Sequence, residues 1–204
     1  MELQWAPGRS RPLRRLNIRL ENTSRLLAIL IAIFSTASGT AFGQIPGKSK
    51  VDVVGSFTNM RFTDEHAYGY AVELWRHEKS LIGLFLASEG LQGDTPAGVL
   101  EKVTFDANTG ALSFEAKLST GVVYSKEHDG VPSRDLFRFT GVIKKGQVRG
   151  RLERFDMLDP HSAPKPEEIV LRRELSTSAM RAFADYASWK AHVDSILEFR
   201  GPKW

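Results

Sequence analysis

The chain has 204 residues, no cysteine and a formal charge of +4, with 42% apolar and 25% charged residues. This length fits one domain with short extensions, and the composition is that of a soluble globular protein. The lack of cysteine excludes disulfides, thiolate metal sites and cysteine nucleophiles. The whole excess of positive charge lies in residues 1–43, so the rest of the chain is neutral. The net charge therefore gives no reason to expect a nucleic-acid partner.

Residues 1–43 have the order of a secretory signal peptide. An arginine-rich stretch precedes the apolar run 26–34, LLAILIAIF, and small residues follow it. This order predicts cleavage before Gln44, with a cut after Ala41 as the alternative. An uncleaved membrane anchor competes with this interpretation, but the apolar run is roughly half the ~20 residues that a spanning helix needs. We therefore predict export to the periplasm or the extracellular space, with no stable membrane insertion after cleavage.

The first segments after the leader alternate between apolar and polar residues, which is typical of β-strands. In residues 51–63 the apolar positions change parity, which predicts a β-bulge near Gly55 or Asn59. Residues 68–75 alternate cleanly and form the second predicted strand. Residues 81–87 are apolar on both parities, so this strand should be covered on both faces.

The middle of the chain predicts a strand, a tight turn and another strand. In residues 99–105, Glu101 interrupts the apolar parity, either as a buried acid or through a slip in the register. Residues 106–110, DANTG, fit a type I turn closed by a glycine in the left-handed region. Residues 112–118 alternate again, and the strand could continue to Tyr124. A loop rich in turn residues, 127–134, follows.

The clearest hairpin is residues 136–155, LFRFTGVIKKGQVRGRLERF. Phe137 and Phe139 share one face of its first strand, and Gly146 supplies the positive φ that a short turn needs. A proline-bearing loop separates this hairpin from a short last strand. Glycines inside several of these strands suggest bends, as in a sheet that coils into a barrel.

The apolar period changes from two to about 3.6 residues near position 176. Ser176 or Ser178 could cap a helix there, and Gly201 with Pro202 could end it. The apolar residues at helical spacing are Met180, Phe183, Ala187, Val193, Ile196 and Leu197. The predicted fold is thus mainly β, an antiparallel up-and-down barrel of about eight strands with a C-terminal amphipathic α-helix packed on it. The predicted division is a signal peptide over 1–43, the barrel over 44–175 and the helix over 176–204.

Consecutive antiparallel strands followed by a helix resemble the lipocalin or calycin barrels, in architecture alone and over residues 51–200. Lipocalins usually carry a glycine–any–tryptophan signature on the first strand, and Gly55-Ser56-Phe57 has phenylalanine in the third position. The resemblance implies a cavity for a small apolar ligand.

Large aromatic residues on several strands favour a filled interior, although a barrel of about eight strands can also hold one small ligand. The residues predicted to point inward are Tyr68, Tyr70, Phe85, Phe114, Phe137 and Phe139. We expect the end near Phe137 and Phe139 to be solid. A ligand pocket would then lie at the opposite mouth, and its predicted binding residues are Tyr70, Trp75, Tyr124 and His77.

The sequence carries little that points to catalysis. Its five histidines lack metal-binding spacing, and no serine elbow, phosphate-binding loop or nucleotide fingerprint appears. We therefore predict no metal and no cofactor. Glu73 and His77 share one face of a strand and could serve a site at the barrel mouth.

We rank three functions: a non-enzymatic barrel that binds a small apolar ligand or a protein partner, a structural envelope protein, and an enzyme using His77 and Glu73. A transmembrane barrel is disfavoured because charged residues occupy the outward parity of several strands.

Overall fold

The structure is a computed structural model that describes residues 49–91, 93, 95–174 and 180–204. The leader, its cleavage site and the candidate caps Ser176 and Ser178 lie outside the described residues. The strands are β1 (Val51–Thr58), β2 (Arg61–Phe62), β3 (His66–His77), β4 (Ser80–Leu91), β5 (Ala97–Phe105), β6 (Ala111–Leu118), β7 (Val122–Tyr124), β8 (Asp129–Pro132), β9 (Asp135–Lys144), β10 (Gln147–Asp156) and β11 (Lys165–Arg173). The helix is α1 (Tyr186–Arg200).

Eight of these strands close into an antiparallel barrel in the order β1-β3-β4-β5-β6-β9-β10-β11, with β11 pairing back to β1. The predicted up-and-down barrel is therefore confirmed. β1 carries the predicted bulge, between Val53 and Gly55. The strand predicted over 112–118 ends at Leu118, and Tyr124 belongs instead to a separate β7–β8 ribbon. That ribbon occupies much of the connection that the sequence predicted as a loop.

The β9–β10 hairpin forms where the sequence predicts it. Lys144 pairs with Gln147, which leaves Lys145 and Gly146 as a two-residue turn with φ values of 51° and 72°. Two consecutive positive φ values define a type I′ turn, whose twist matches that of the flanking strands. Gly110, at the turn between β5 and β6, also has a positive φ of 77°. Both glycine predictions are confirmed.

A second bulge in β5 explains the interrupted parity around Glu101. The register shifts between Glu101 and Thr104, and Lys102 adopts a φ of 50°. The extra residue lets Leu100 and Val103 both pack against the interior cluster. Glu101 is not a buried acid, because its half-exposed carboxylate forms an ion pair with Lys117 at 3.3 Å. The register slip was therefore the correct interpretation.

Aromatic rings fill the barrel interior. Phe85, Phe114, Phe137 and Phe139 are each at most 2% exposed. Ring centroids lie 5.7 Å apart for Phe85 and Phe114, 5.3 Å for Phe85 and Phe137, and 5.1 Å for Phe114 and Phe139. A void large enough for water would leave accessible surface on the side chains around it. The space between these rings is therefore closed. Tyr68, in contrast, is 49% exposed and does not join this core.

The helix begins at Tyr186, and the predicted start near position 176 was too early. Asp185 caps it, accepting a hydrogen bond from the Ser188 backbone N–H at 2.8 Å. Before the cap, residues 180–185 are not helical. Phe183 bridges to Val51 through two backbone hydrogen bonds of 3.0 and 2.9 Å. Its apolar side chain thus fits the helical period while its backbone pairs with a strand.

The helix packs on the outside of the barrel over β3, β4 and β5. The buried cluster between helix and barrel is Val51, Trp75, Leu84, Phe183, Trp189 and Val193, of which the last two belong to the helix. β4 is therefore covered on both faces, as its apolar pattern predicted, since Leu81 and Phe85 face the interior while Leu84 faces the helix. Among the described residues, no helix combines the length and the hydropathy needed to cross a bilayer.

Candidate functional site

Tyr70 is one of the four predicted ligand-binding residues, and it faces the barrel interior from β3. Its ring lies 5.8 Å from that of Phe85 and 6.3 Å from that of Phe137. Its hydroxyl donates a hydrogen bond to Glu167 on β11 at 2.9 Å. Burial, together with the nearby Glu167 carboxylate, raises the pKa of Tyr70. This phenol therefore stays protonated and acts as a hydrogen-bond donor.

Trp75 lies on the opposite face of β3, outside the barrel. It is 1% exposed, and its indole N–H donates to the Arg181 carbonyl at 2.9 Å. The rings of Phe183 and Trp189 lie 6.3 and 6.1 Å from it. Trp75 therefore anchors the helix and its preceding segment.

The other two predicted residues lie elsewhere. His77 ends β3 beside the β3–β4 turn, where its ring lies 5.1 Å from that of Tyr186. Tyr124 lies on the β7–β8 ribbon and is 74% exposed. The structure therefore does not bring Tyr70, Trp75, His77 and Tyr124 into one pocket. Whether any of them contacts a ligand stays a prediction.

Glu73 and His77, the pair in the enzyme hypothesis, lie four residues apart on β3, or about 13 Å along an extended strand. Glu73 is partly buried on the strand. Burial and the neighbouring Glu174 raise its pKa, while Arg200 lowers it. At this separation the two side chains cannot share a proton directly. Within the part of the chain described here, no group of three or more histidine, aspartate or glutamate side chains could hold a metal ion.

A polar network closes the barrel at what we call the loop end, where β4 and β6 end and where the connections 119–134 and 157–164 lie. Arg154 is its centre. The guanidinium donates to Asp135 at 3.0 and 3.2 Å, to Glu89 at 2.7 Å and to Thr120 at 2.7 Å. It also lies 5.7 Å from the centroid of the Phe137 ring. These contacts seal the aromatic core from the solvent.

Asp135 is the buried partner, with a side chain only 4% exposed. Burial alone would raise the pKa of Asp135, but hydrogen bonds from Arg154, Thr120 and Ser133 hold it below its usual value. The Thr120 and Ser133 hydroxyls donate to its Oδ2 at 2.6 and 2.9 Å. An ionised carboxylate with this many donors is already satisfied, which suits a structural role better than that of a general base.

A polar cavity of about 290 Å³ opens above this network, lined by Glu89, Asp135, Arg154, Asp156, Ser162, Ala163 and Lys165. Arg154 is the main cation at its floor, and its guanidinium is already engaged by Asp135, Glu89 and Thr120. An anionic ligand that bound Arg154 would have to displace one of these partners. The Arg154 guanidinium is therefore not free to bind a ligand in this cavity.

A second recess at the loop end is a groove of about 280 Å³, which we call the loop-end groove. The apolar residues that line it are Leu91, Pro96, Val122, Pro132 and Phe199. Leu91 is 65% exposed, Val122 53% and Phe199 76%. Exposed apolar side chains from separate parts of the chain therefore line one open recess.

The Arg154 network also builds one wall of the groove. Glu89 and Thr120 line the groove while both accept hydrogen bonds from Arg154. Gly121, in the same wall, exchanges hydrogen bonds with Ser133 at 3.1 and 2.8 Å. The end of β4 and the segment after β6 are therefore fixed to the barrel, so a partner would meet a preformed surface.

The sequence analysis missed both Arg154 and the groove. Arg154 has the same parity as Val148 and Leu152 on β10, so it points inward at the end of a strand, and Asp135 has the parity of Phe137 on β9. A charge at an inward position was the available signal. No comparable sequence signal marked the groove, because its walls come from β4, the segment after β6 and the helix, which are far apart in the sequence.

Comparisons with protein-family models, with curated proteins and with solved structures found no match to this chain.

Proposed function

We propose that this protein is an exported, non-enzymatic β-barrel that binds a protein partner at the loop-end groove. The observation that carries the proposal is the contrast between an interior filled by aromatic rings and an exterior groove lined by exposed apolar residues. Export rests on the signal-peptide pattern of residues 1–43.

Recognition belongs on the outside of this barrel because an interior ligand would have to displace packed rings. Phe114 and Phe139 already lie 5.1 Å apart, and both are nearly inaccessible. Removing such a ring from its contacts costs several kcal/mol. A small apolar ligand, the other partner class that the sequence predicts, would have to recover that cost before any net binding.

We also propose a distant relation to the lipocalin or calycin barrels. It is supported by the meander of eight strands followed by one helix. Phe57 adds to this, because it is 1% exposed at the position where lipocalins carry tryptophan. The proposed relation concerns ancestry only. It does not imply an interior ligand cavity in this barrel, because aromatic rings fill the interior.

Site-specific photo-crosslinking in the native host tests the groove. We would introduce a benzoylphenylalanine at Val122 in the groove and, as a matched control, at Val170, an exposed valine on β11. We expect a discrete protein adduct from position 122 and none from position 170. Phe199→Asp, at a 76% exposed site where the fold should tolerate it, should remove the adduct. Equal adducts from both positions, or none from position 122, would contradict the proposal.

A further inference from the structure

We propose that the loop-end groove selects acidic partner segments, in which carboxylates flank an apolar anchor side chain. This inference rests on the proposed function and names the chemistry of the partner. The residues that would recognise the carboxylates are Arg200 and Lys203, which line the groove beside the exposed ring of Phe199.

The charges around the groove are unbalanced. Three charged residues line it, namely Glu89, Arg200 and Lys203. Glu89 is paired with Arg154 at 2.7 Å, through a guanidinium that it shares with Asp135. Within the described residues, Arg200 and Lys203 form neither an ion pair nor a side-chain hydrogen bond. In the described part of the chain, the groove therefore presents two cations without bonded partners next to apolar walls.

The charge of Arg200 also interacts with the carboxyl group of Glu73. Arg200 lowers the pKa of Glu73, so the two charges interact through space, while burial and Glu174 raise it. Because no hydrogen bond joins the two side chains, the guanidinium keeps its donors for another acceptor. An arginine that offers several donors can bind a carboxylate through two parallel hydrogen bonds.

The open form of the groove suits a peptide anchor. Its volume of about 280 Å³ is near the lower end of the roughly 300–1,000 Å³ usual for ligand sites, and the groove is open to solvent instead of enclosed. That space takes one or two apolar side chains of a bound segment. The flanking residues of the segment would then lie over Arg200 and Lys203. The two cations would attract carboxylates there and repel ammonium groups.

Two fluorescein-labelled peptides test the charge preference. Both carry a leucine–phenylalanine core, flanked by glutamates in one peptide and by lysines in the other. Fluorescence anisotropy should show tighter binding of the glutamate peptide, by about threefold to tenfold in Kd, as expected for two exposed ion pairs. The difference should shrink as salt rises, because exposed charges are screened. Arg200→Gln combined with Lys203→Gln should remove it.

The matched control neutralises Lys144 and Arg172, two exposed cations on β9 and β11, and should leave the preference intact. Equal affinities, a preference for lysine or no binding of the glutamate peptide to the wild-type protein would each overturn the inference. The crosslink from Val122 decides the proposed function separately. An adduct there without a glutamate preference would keep the docking groove and discard its acidic partner.

Discussion

Replacing Phe139 with alanine should lower the free energy of unfolding by about 3 kcal/mol. The ring is fully buried and stacks on Phe114 at a centroid distance of 5.1 Å. Loss of its burial costs about 2 kcal/mol. If space on the order of 50 Å³ then stays empty, the cavity adds about 1 kcal/mol. A filled barrel limits collapse around the gap, because the neighbouring rings are held by strands that are paired on both sides.

Urea unfolding followed by tryptophan fluorescence measures this change, since Trp75 and Trp189 are buried between the barrel and the helix and report on unfolding. The control is Phe62→Ala, the same substitution at a side chain that is 61% exposed, and it should change stability by less than about 0.5 kcal/mol. A cost below about 1 kcal/mol at Phe139 would refute the reasoning. The ring would then already face a void or a ligand.

Three further predictions follow from the turns, the polar network and the leader. Gly146→Ala should cost about 1 kcal/mol because of the positive φ, and Gly110→Ala should cost more in urea unfolding because its Cβ would lie 2.4 Å from a carbonyl oxygen of β9. Asp135→Asn should cost about 2–4 kcal/mol at neutral pH by leaving Arg154 without its buried partner. The folded-state pKa of Asp135 is lowered, so the stabilisation by its carboxylate is present above about pH 4 and is lost as the pH falls through the folded pKa. The free energies of unfolding of wild type and variant should therefore converge in acid. N-terminal sequencing of the native protein should begin at or near Gln44, and a retained apolar run in a membrane fraction would contradict the signal peptide.

Alternation of apolar residues predicted the barrel because each strand buries one face. The β9–β10 hairpin shows what this signal predicts, since the alternation around Phe137 and Phe139 and the glycine at position 146 indicated its two strands and its turn. The same signal failed where the backbone changes parity. The bulge at Lys102 moved Glu101 to the surface, and only the cross-strand register reveals that shift.

Residues outside the strand period were harder to place because distant segments determine their surroundings. Trp75 looked like part of a barrel mouth, yet the helix covers it from outside the barrel. Phe183 matched the helical period while pairing with β1. The residues predicted to line a pocket with Tyr70 lie apart for the same reason, because they are on opposite faces of β3 and on the separate β7–β8 ribbon. Their contact with a ligand stays a prediction.

A crystal structure of protein purified from its native host, without unfolding, tests the central claim most directly. The account predicts that only side chains occupy the space between Phe85, Phe114 and Phe139, and that any co-purified peptide lies in the loop-end groove against Phe199. Ligand density inside the barrel, with these rings turned aside, would contradict it.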